Sequence, residues 1–424
     1  MLEFDKVMAT DEEVATLLYK EYERQNNCIE LIASENIPSE AVLQAQSSYH
    51  ALKYAEGYPN ARYYAGCENI DAIETLAIQR ACELFHCKFA NVQPHSGTQA
   101  NMAVQFALLQ PGDTLMGMSL NSGGHLTHGA KPTFSGQYFH SVQYNVNAGH
   151  HYKIDYSNLE EMITAVRPNL FIAGASAYPF KIDYAQIRTI IDNVQKTTDH
   201  KIWFMVDMAH IAGLVAADLH QSPLPYADVV TTTTHKTLRG PRGGLILWNN
   251  EELTNVINKA VFPGVQGGPL EHIIAAKAVC FKEAMTPGFR RYQYAVVTNA
   301  QRLVRTLLRF GVKIIGSGTD THMILLNLRN TGINGAILEQ RLAQLNIITN
   351  KNAIPGDTAS KMAPSGLRIG TPAVTARGMG IKEMDAIATI IAMCIYKYND
   401  QNIQKCQAIV KNLTATFPLS AIEG

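Results

Sequence analysis

Between residues 70 and 280, helical segments alternate with short apolar runs, and this alternation restricts the fold more than any other feature of the sequence. The apolar runs are FANVQP, DTLMGM, NLFIAGA, KIWFMVD, ADVVTTTT and GLILWN. Strands that alternate with helices form a mainly parallel sheet flanked by helices, so we predict an α/β fold. Ligands bind such sheets beyond the carboxyl ends of the strands, and we expect a functional site there.

The chain has 424 residues, more than one hydrophobic core usually organises, and this length predicts two unequal domains. Residues 1–50 are interpreted as an N-terminal arm, and residues 51–280 as the large domain. After the glycine- and proline-rich VFPGVQGGP the pattern changes to longer helices, so residues 281–424 are predicted to form a smaller α+β domain. Its predicted helices and strands are residues 292–309, residues 335–345, a closing helix at 382–398, KIIG and MILLNL.

The charge balance and the cysteines restrict the possible partners and the compartment. Lysine plus arginine and aspartate plus glutamate both number 36, so we expect no binding to nucleic acid or to an anionic membrane. The seven cysteines are scattered and contain no C-x-x-C pair, which argues against a disulfide framework or a zinc site. The N-terminus is acidic, unlike a secretory or mitochondrial signal, and no apolar stretch reaches the roughly 20 residues that span a bilayer. We therefore expect a cytoplasmic protein.

Lys236 and Asp207 each follow one of the predicted buried strands. Lys236 lies in VVTTTTHKTLRGPRGG, and Asp207 ends KIWFMVD. A lysine and a carboxylate at two strand ends are the pair that holds pyridoxal phosphate, because the lysine forms a Schiff base with the aldehyde and the carboxylate pairs with the protonated ring nitrogen. The sequence therefore predicts pyridoxal phosphate as the cofactor.

The segment QPHSGTQANMAVQF places Ser96, Gly97 and Thr98 at the start of a predicted helix. The free N–H groups and the positive end of the helix dipole make such a corner an anion site, and the hydroxyls add donors for a phosphate. Serine and threonine also cap helices that bind nothing. The motif by itself therefore leaves both interpretations open.

The segment NSGGHLTHG contains His125 and His128. No nearby acid or cysteine completes a coordination set, so we expect no metal ion. A histidine after two glycines suits a ring that stacks on a flat cofactor, which we predict for His125. For His128, a hydrogen-bonded loop histidine remains an open alternative.

Four tyrosines surround Glu56 in the glycine-broken segment KYAEGYPNARYYAGCE. Such aromatic loops often pack at a subunit contact, which is the simplest interpretation of Tyr58 and Tyr64. A carboxyl among phenol rings loses solvation and can carry a proton near neutral pH. We therefore predict that Glu56 transfers a proton.

Two arginines are candidates for binding anionic groups. Arg368 lies between small residues in SGLRIGTPA, where a planar guanidinium can bind an amino-acid carboxylate through two hydrogen bonds. A buried structural ion pair is the alternative for this residue. Arg242, in RGPRGG, is predicted to steady the lysine loop or to contact the phosphate.

Together, these segments resemble the serine hydroxymethyltransferase family. The matching segments occur in that family's order and spacing: LIASEN, YAEGYP, RYY, HSGTQAN, GGHLTHG, SAY, VDMAHIAGLVAA, TTTTHKTLRGPRGG, FPGVQGGP and LRIGTPAVTARG. The resemblance implies a pyridoxal-phosphate-dependent transferase of fold type I, which is similar to aspartate aminotransferase. It also implies a homodimer, or a dimer of dimers, with active sites built across the subunit boundary. The sequence departs from the family at Ala65, where glycine is usual, and at Pro179, where a small polar residue is commoner. A third departure is GAKPTFSG, which differs from the usual apolar segment after the histidine-containing loop.

The resemblance also implies a role for each matching residue. Lys236 would be the Schiff-base lysine, Asp207 the partner of the ring nitrogen, and His125 the ring stacked on the cofactor. The other implied cofactor contacts are Ser96, Gly97, Thr98, Ser176, His210, Thr233, His235, Arg242 and Tyr54, with Gly267 and Gly268 of the partner chain. The implied catalytic residues are Lys236, Glu56, Tyr63, Tyr64 and His235. The implied substrate contacts are Ser34 and Arg368 with the partner's Tyr54, Glu56 and Tyr64 for the amino acid, and Leu120, Gly124, Leu126 and Asn352 for the folate.

The implied reaction is the reversible transfer of the serine hydroxymethyl carbon to tetrahydrofolate, which gives glycine and 5,10-methylenetetrahydrofolate in one-carbon metabolism. A threonine aldolase-like enzyme or an aminotransferase of the same fold type is the alternative. An aldolase would not need the segments LNSGGHL and NKNAIP, which face the folate by resemblance. A non-catalytic regulatory or RNA-binding protein with a degenerate fold is disfavoured by the zero net charge and by the unbroken set of candidate residues.

Overall fold

The computed structural model describes residues 4–198 and 200–419. Within these residues the chain forms two compact units, and each is described by itself. The large unit comprises residues 36–294 and 353–358. The small unit comprises the residues up to 35, residues 295–352 and the residues from 359 on. The domain boundaries at residues 50 and 280 stay a prediction.

The described residues contain short strands and longer helices in alternation. The strands are β1 (Ile29–Glu30), β2 (Gly57–Tyr58), β3 (Ala61–Arg62), β4 (Phe89–Asn91), β5 (Thr114–Met118), β6 (His140–Tyr144), β7 (Leu170–Ala173), β8 (Trp203–Asp207), β9 (Val229–Thr233), β10 (Gly244–Trp248), β11 (Lys313–Ile314), β12 (Met323–Asn327), β13 (Ile347–Ile348), β14 (Asn350–Asn352) and β15 (Gly366–Gly370). The helices are α1 (Asp5–Thr10), α2 (Glu12–Asn26), α3 (Glu40–Gln46), α4 (Glu68–Phe85), α5 (Gly97–Leu108), α6 (Phe134–Tyr138), α7 (Tyr156–Val166), α8 (Tyr184–Lys196), α9 (Ala212–Ala216), α10 (Leu253–Lys259), α11 (Glu271–Ala284), α12 (Pro287–Arg309), α13 (Gly335–Ala343), α14 (Pro372–Ala376), α15 (Ile381–Tyr396) and α16 (Asp400–Thr416).

The large unit is built on a seven-stranded sheet in the order β4-β10-β9-β8-β7-β5-β6. Strands β9, β8, β7, β5 and β6 are parallel to one another, whereas β10 is antiparallel to both β9 and β4. The prediction of a mainly parallel sheet with flanking helices is confirmed. All six predicted runs form strands, but β6 was not predicted, because its sequence HSVQY is largely polar and only its last residue is buried.

Both faces of this sheet are covered, as the continuous apolar strands require. Successive side chains of a strand point to opposite faces. Phe171 and Phe204 therefore pack with Ile187 of α8 on one face, and Ile172 packs with Val104 of α5 on the other. Burial on both faces leaves the strand ends as the open part of the sheet, where loops carry the polar side chains.

The small unit contains an antiparallel sheet in the order β11-β12-β15-β14 and a parallel pair of β1 with β13. The helices predicted at residues 292–309 and 335–345 are confirmed as α12 and α13, and KIIG and MILLNL contain β11 and β12. The helix predicted at 382–398 is confirmed as α15, but it does not close the chain as predicted, because α16 follows it. The sequence of α16 is mostly polar, and it buries only a narrow stripe of Cys406, Val410, Leu413 and Thr414, which a search for apolar runs does not detect.

The most apolar stretch, AIATIIAMCIY, lies in α15, whose side chains form part of the small unit's core. None of the helices in residues 4–198 and 200–419 combines the length and the apolar composition that crossing a bilayer requires.

Candidate active site

Asp207 and Lys236 follow adjacent parallel strands of the large unit. Asp207 is the last residue of β8, where it is level with Thr231 of β9, and Lys236 follows the end of β9 at Thr233. Because β8 and β9 run in the same direction, their carboxyl ends lie at one edge of the sheet. The position expected from the sequence for a ligand site therefore holds both residues.

Asp207 is buried within a set of hydrogen-bond donors. Nε2 of His128 lies 3.0 Å from Oδ2 of Asp207, the side-chain amide of Asn101 donates to the same oxygen over 2.9 Å, and the backbone N–H of Ala209 donates to Oδ1 over 3.0 Å. Burial alone would raise the pKa of Asp207, but the hydrogen bond with His128 and the nearby positive charges, above all that of His128, hold it well below its usual range. Asp207 is therefore a buried, ionised carboxylate.

A second row of polar side chains holds these donors in place. The hydroxyl of Thr231 donates to Oδ1 of Asn101 over 2.6 Å, and Nδ2 of Asn101 donates to the hydroxyl of Thr127 over 2.8 Å. Nδ1 of His125 lies 2.7 Å from the same hydroxyl. Sequence reasoning missed Asn101, Thr127 and Thr231. The available signal was an Asn among the small apolar residues that form the buried face of α5.

A hydrogen-bonded loop histidine was the alternative left open for His128. Its ring is fully buried and hydrogen-bonded to Asp207, which agrees with that alternative. His125 is partly exposed, and burial together with the charge of His128 lowers its pKa to about 4. A neutral His125 presents an uncharged ring, which suits stacking on an aromatic cofactor.

The sequence argument against a metal ion was wrong in its premise, because an acid does lie nearby in space. One ligand atom each of His125, His128 and Asp207 lies within 4.8 Å of the others. Nε2 of His128 and Oδ2 of Asp207 are 3.0 Å apart, however, and a hydrogen bond between them accounts for this distance. The expectation of no metal ion stays a prediction.

Helix α5 begins at the same end of the sheet. Oγ of Ser96 accepts a hydrogen bond from the backbone N–H of Gln99 over 3.2 Å, so Ser96 does cap this helix. The cap leaves the N–H groups of Gly97 and Thr98 at the positive end of the helix dipole. A Cβ atom at Gly97 would lie 2.5 Å from Cγ2 of Thr233, so only glycine allows this close approach of α5 to the end of β9.

The loop that carries Lys236 is held by backbone contacts. The backbone carbonyl of Lys236 accepts from Nδ2 of Asn36 over 2.9 Å, and the hydroxyl of Thr237 donates to the carbonyl of buried His210 over 2.9 Å. Burial, with the charges of Arg242, Lys236 and Lys277, lowers the pKa of His235 to about 3. Nδ1 of this neutral ring is buried and has no hydrogen-bond partner within the described residues.

These groups fit pyridoxal phosphate. The ring nitrogen of the cofactor would meet the ionised carboxylate of Asp207, and its aldehyde would meet Lys236. Its phosphate would meet the start of α5, where His235 offers a ring nitrogen that no described residue satisfies.

Gly123 joins the loop that leads to His125 to the loop that contains Ser176. Its φ of 105° favours glycine, and its carbonyl accepts hydrogen bonds from the backbone N–H groups of Ser176 and Ala177 over 2.7 and 3.0 Å. The structure thereby brings Ser176 next to the GGHL segment. In this segment Gly124 is buried, and the Leu126 side chain is 49% exposed. Leu120, in the turn before Gly123, is partly exposed.

The residues predicted to reach a partner's site form one cluster in the large unit. A cavity of about 590 Å³ is lined by Glu56, Tyr63 and residues 262–267. The rings of Tyr54 and Tyr64 lie 5.5 Å apart, and the charge of Glu56 raises the pKa of Tyr64. Cβ atoms at Gly267 and Gly268 would lie 3.5 Å from Oε1 of Glu56 and 3.3 Å from Cε1 of Tyr54.

Ser34, Arg368 and Asn352 lie in the small unit. Nε of Arg368 donates to Oδ1 of Asn350 over 3.1 Å, and burial lowers the pKa of Arg368 to about 10. The backbone N–H of Gly370 donates to the carbonyl of Leu31 over 2.7 Å, which ties the strand of Arg368 to the segment that leads to Ser34. Asn352, the last residue of β14, is level with Gly366 of the same sheet.

The comparison with protein families supports the assignment of this geometry. A family model described as serine hydroxymethyltransferase matches residues 7–391 of the 424-residue chain. This match includes the ends of β8 and β9, the start of α5 and Arg368. It also includes Tyr54, Glu56, Tyr63 and Tyr64, which we call the tyrosine cluster. No observation favours the threonine aldolase alternative.

Proposed function

The chain belongs to the serine hydroxymethyltransferase family, and we propose that Lys236 and Asp207 are its principal cofactor residues. The enzyme transfers the hydroxymethyl carbon of serine reversibly to tetrahydrofolate and forms glycine and 5,10-methylenetetrahydrofolate. Its cofactor is pyridoxal phosphate, and tetrahydrofolate is its co-substrate. When bound, pyridoxal phosphate supplies an aldehyde that condenses with amino groups and a protonated ring that accepts electrons from bonds to the amino acid's Cα atom.

The set of hydrogen-bond donors around the buried carboxylate of Asp207 is the observation that carries this proposal. A carboxylate kept charged by His128 and Asn101 favours a proton on the ring nitrogen opposite to it. Lys236 supplies the amine that holds the cofactor covalently before serine enters and after glycine leaves. His125 would stack on the ring, and Ser176 and His210 would contact its phenolic side.

We assign the phosphate to the start of α5. Ser96, Gly97 and Thr98 offer a hydroxyl-rich helix start, and Thr233 lies against Gly97. His235 and Arg242 add a ring nitrogen and an exposed positive charge.

We assign the carboxylate of serine to Arg368 and Ser34. A guanidinium holds a carboxylate through two parallel hydrogen bonds, which fixes the orientation of the bond to be broken. Tyr64 completes this binding, and Leu120, Gly124, Leu126 and Asn352 line the folate site. Glu56 moves the proton at the serine hydroxyl and at the folate nitrogen, with Tyr63 beside it in the same cavity.

We further propose that the enzyme is a homodimer whose protomers exchange the tyrosine cluster. This proposal is supported by the exposure of aromatic side chains in one region, since Tyr49 is 90% and Tyr63 is 76% exposed. Tyr54, Glu56, Gly267 and Gly268 pack together in one protomer, so all four would reach the partner's cofactor as a group. The zero net charge supports the absence of nucleic-acid and membrane partners, and the seven unpaired cysteines support a cytoplasmic location.

Replacement of Glu56 by Gln tests the assigned proton transfer. The variant keeps the shape and hydrogen bonding of the side chain but removes its acid function, so we expect the tetrahydrofolate-dependent conversion of serine to fall about 10²-fold or more. Cleavage of allo-threonine, which needs no folate, should fall far less. Equal losses in the two assays would assign the proton transfer to another residue.

A further inference from the structure

Lys277 is a buried cation to which the mechanism above gives no role. It lies in α11 and is only 1% exposed, although lysine is almost never fully buried unless it is paired. Its Nζ donates to the backbone carbonyls of Val92, Pro94 and Gly244 over 2.6, 3.1 and 2.8 Å. An ammonium group has three donors, and all three are used.

These carbonyls lie where the ladder between β4 and β10 stops. The last paired residues are Asn91 and Ile246, and β10 begins at Gly244. Past that point the backbone N–H of Gly244 donates to the carbonyl of Pro94 over 2.9 Å. Nζ of Lys277 donates to the same carbonyl and to those of Val92 and Gly244, and so links the two chain segments. A Cβ atom at Gly243 would lie 2.5 Å from Cε of Lys277, so the neighbouring glycine makes room for this side chain.

The backbone that Lys277 holds leads directly into the start of α5. Pro94 is separated from Ser96 by one residue, and a Cβ atom at Gly244 would lie 2.3 Å from the carbonyl oxygen of Ser96. The carbonyl of Gln93, between two of the carbonyls bound by Lys277, accepts from Nε2 of Gln266 over 2.8 Å. The position of Ser96 therefore depends on carbonyls that side chains hold in place.

The charge of Lys277 acts on the same corner. It is one of the positive charges that lower the pKa of His235, and it also lowers the pKa of His95, after the larger effect of burial. Burial lowers the pKa of Lys277 to about 7, whereas Glu74 and Glu271 favour its charged form. The three carbonyls around Nζ also favour the charged form, because only an ammonium group has three N–H donors. A positive charge buried behind the start of α5 attracts an anion through a medium that screens poorly.

We propose that Lys277 is a positioning residue for the cofactor phosphate, which fixes the backbone before Ser96 and supplies a buried positive charge behind the phosphate site. This inference rests on the proposed function, because it requires Ser96, Gly97 and Thr98 to bind the phosphate. Lys277 does not touch the reacting atoms, so its effect is expected on cofactor binding rather than on the chemical step.

Replacement of Lys277 by Met separates a phosphate role from general support of the fold. The apo-protein is titrated with pyridoxal phosphate and with pyridoxal, which has the aldehyde and the ring but no phosphate. We expect the affinity for pyridoxal phosphate to fall about 10-fold or more, while the affinity for pyridoxal changes less than about twofold. Equal losses for both ligands, or an unchanged affinity for pyridoxal phosphate, would overturn the inference.

Two further variants make the result unambiguous. Lys282→Met removes an exposed lysine from the same helix and should leave both affinities unchanged. Gly243→Ala keeps the charge of Lys277 but displaces its ammonium group, so it should lower the preference for pyridoxal phosphate over pyridoxal. This variant replaces Lys277→Met as the test if Lys277→Met does not fold. An unchanged preference in folded Gly243→Ala would then count against the inference.

The same assay distinguishes failure of this inference from failure of the proposed function. Thr98→Val should lower the preference for pyridoxal phosphate if the start of α5 binds the phosphate. An effect of Thr98→Val without an effect of Lys277→Met refutes the role of Lys277 alone. No effect of either variant refutes the phosphate site itself.

Discussion

At the scale of single residues, Asp207 depends on partners that lie far away in the sequence. His128 is 79 residues before it and Asn101 is 106 residues before it, yet both contact Oδ2. Asp207 and Lys236 could be predicted, because each follows an apolar run that marks a buried strand. The role of His128 could not, because no local pattern shows which carboxylate a histidine meets after folding.

Replacement of Asp207 by Asn tests the importance of its charge. The amide is neutral, so it no longer favours a proton on the ring nitrogen, and we expect kcat to fall about 10²-fold or more. Steady-state turnover of serine with tetrahydrofolate gives this value. Asp192→Asn is the control, since Asp192 lies on the surface of α8 with 49% of its side chain exposed. Turnover near that of the unchanged enzyme in Asp207→Asn would contradict the assignment.

At the scale of elements, the apolar strands were predictable and the polar elements were not. Strands such as β7 and β8 are buried on both faces and therefore appear as continuous apolar runs. Strand β6 and helix α16 bury few side chains, so their sequences resemble those of loops. The start of α5 was predictable as a helix start, but its close approach to β9 depends on tertiary packing.

The contact between Gly97 and Thr233 gives a prediction for this pair of elements. Gly97→Ala adds a Cβ atom 2.5 Å from Cγ2 of Thr233 and should lower the free energy of unfolding by about 1–3 kcal/mol. Thr233→Ser removes Cγ2 and keeps the hydroxyl, so the double variant should recover about 1 kcal/mol in a urea unfolding cycle. Strictly additive effects would mean that the two residues do not meet as described.

At the scale of the whole molecule, the proposed exchange of tyrosine clusters predicts complementation between inactive protomers. Lys236→Gln lacks the cofactor lysine, and Glu56→Gln lacks the proton-transfer group that the partner supplies. In a dimer of one protomer of each kind, one of the two sites contains both wild-type residues. An equal mixture that has exchanged subunits should therefore reach about a quarter of the wild-type activity.

The matched control for complementation is each variant incubated alone under the same conditions. Recovery that depends on both variants supports shared sites. If subunit exchange is demonstrated, for example with differently tagged protomers, and activity still stays at the level of the single variants, the sites are contained within one protomer.

Reduction of the cofactor-bound enzyme with borohydride, followed by peptide mapping, tests the central assignment most directly. Borohydride converts the imine between a lysine and pyridoxal phosphate into a stable amine, so the modified residue can be identified by mass spectrometry. We predict a single modified peptide that carries the cofactor on Lys236. A modification on any other lysine, or an unmodified Lys236 peptide in the fully loaded enzyme, would contradict the account.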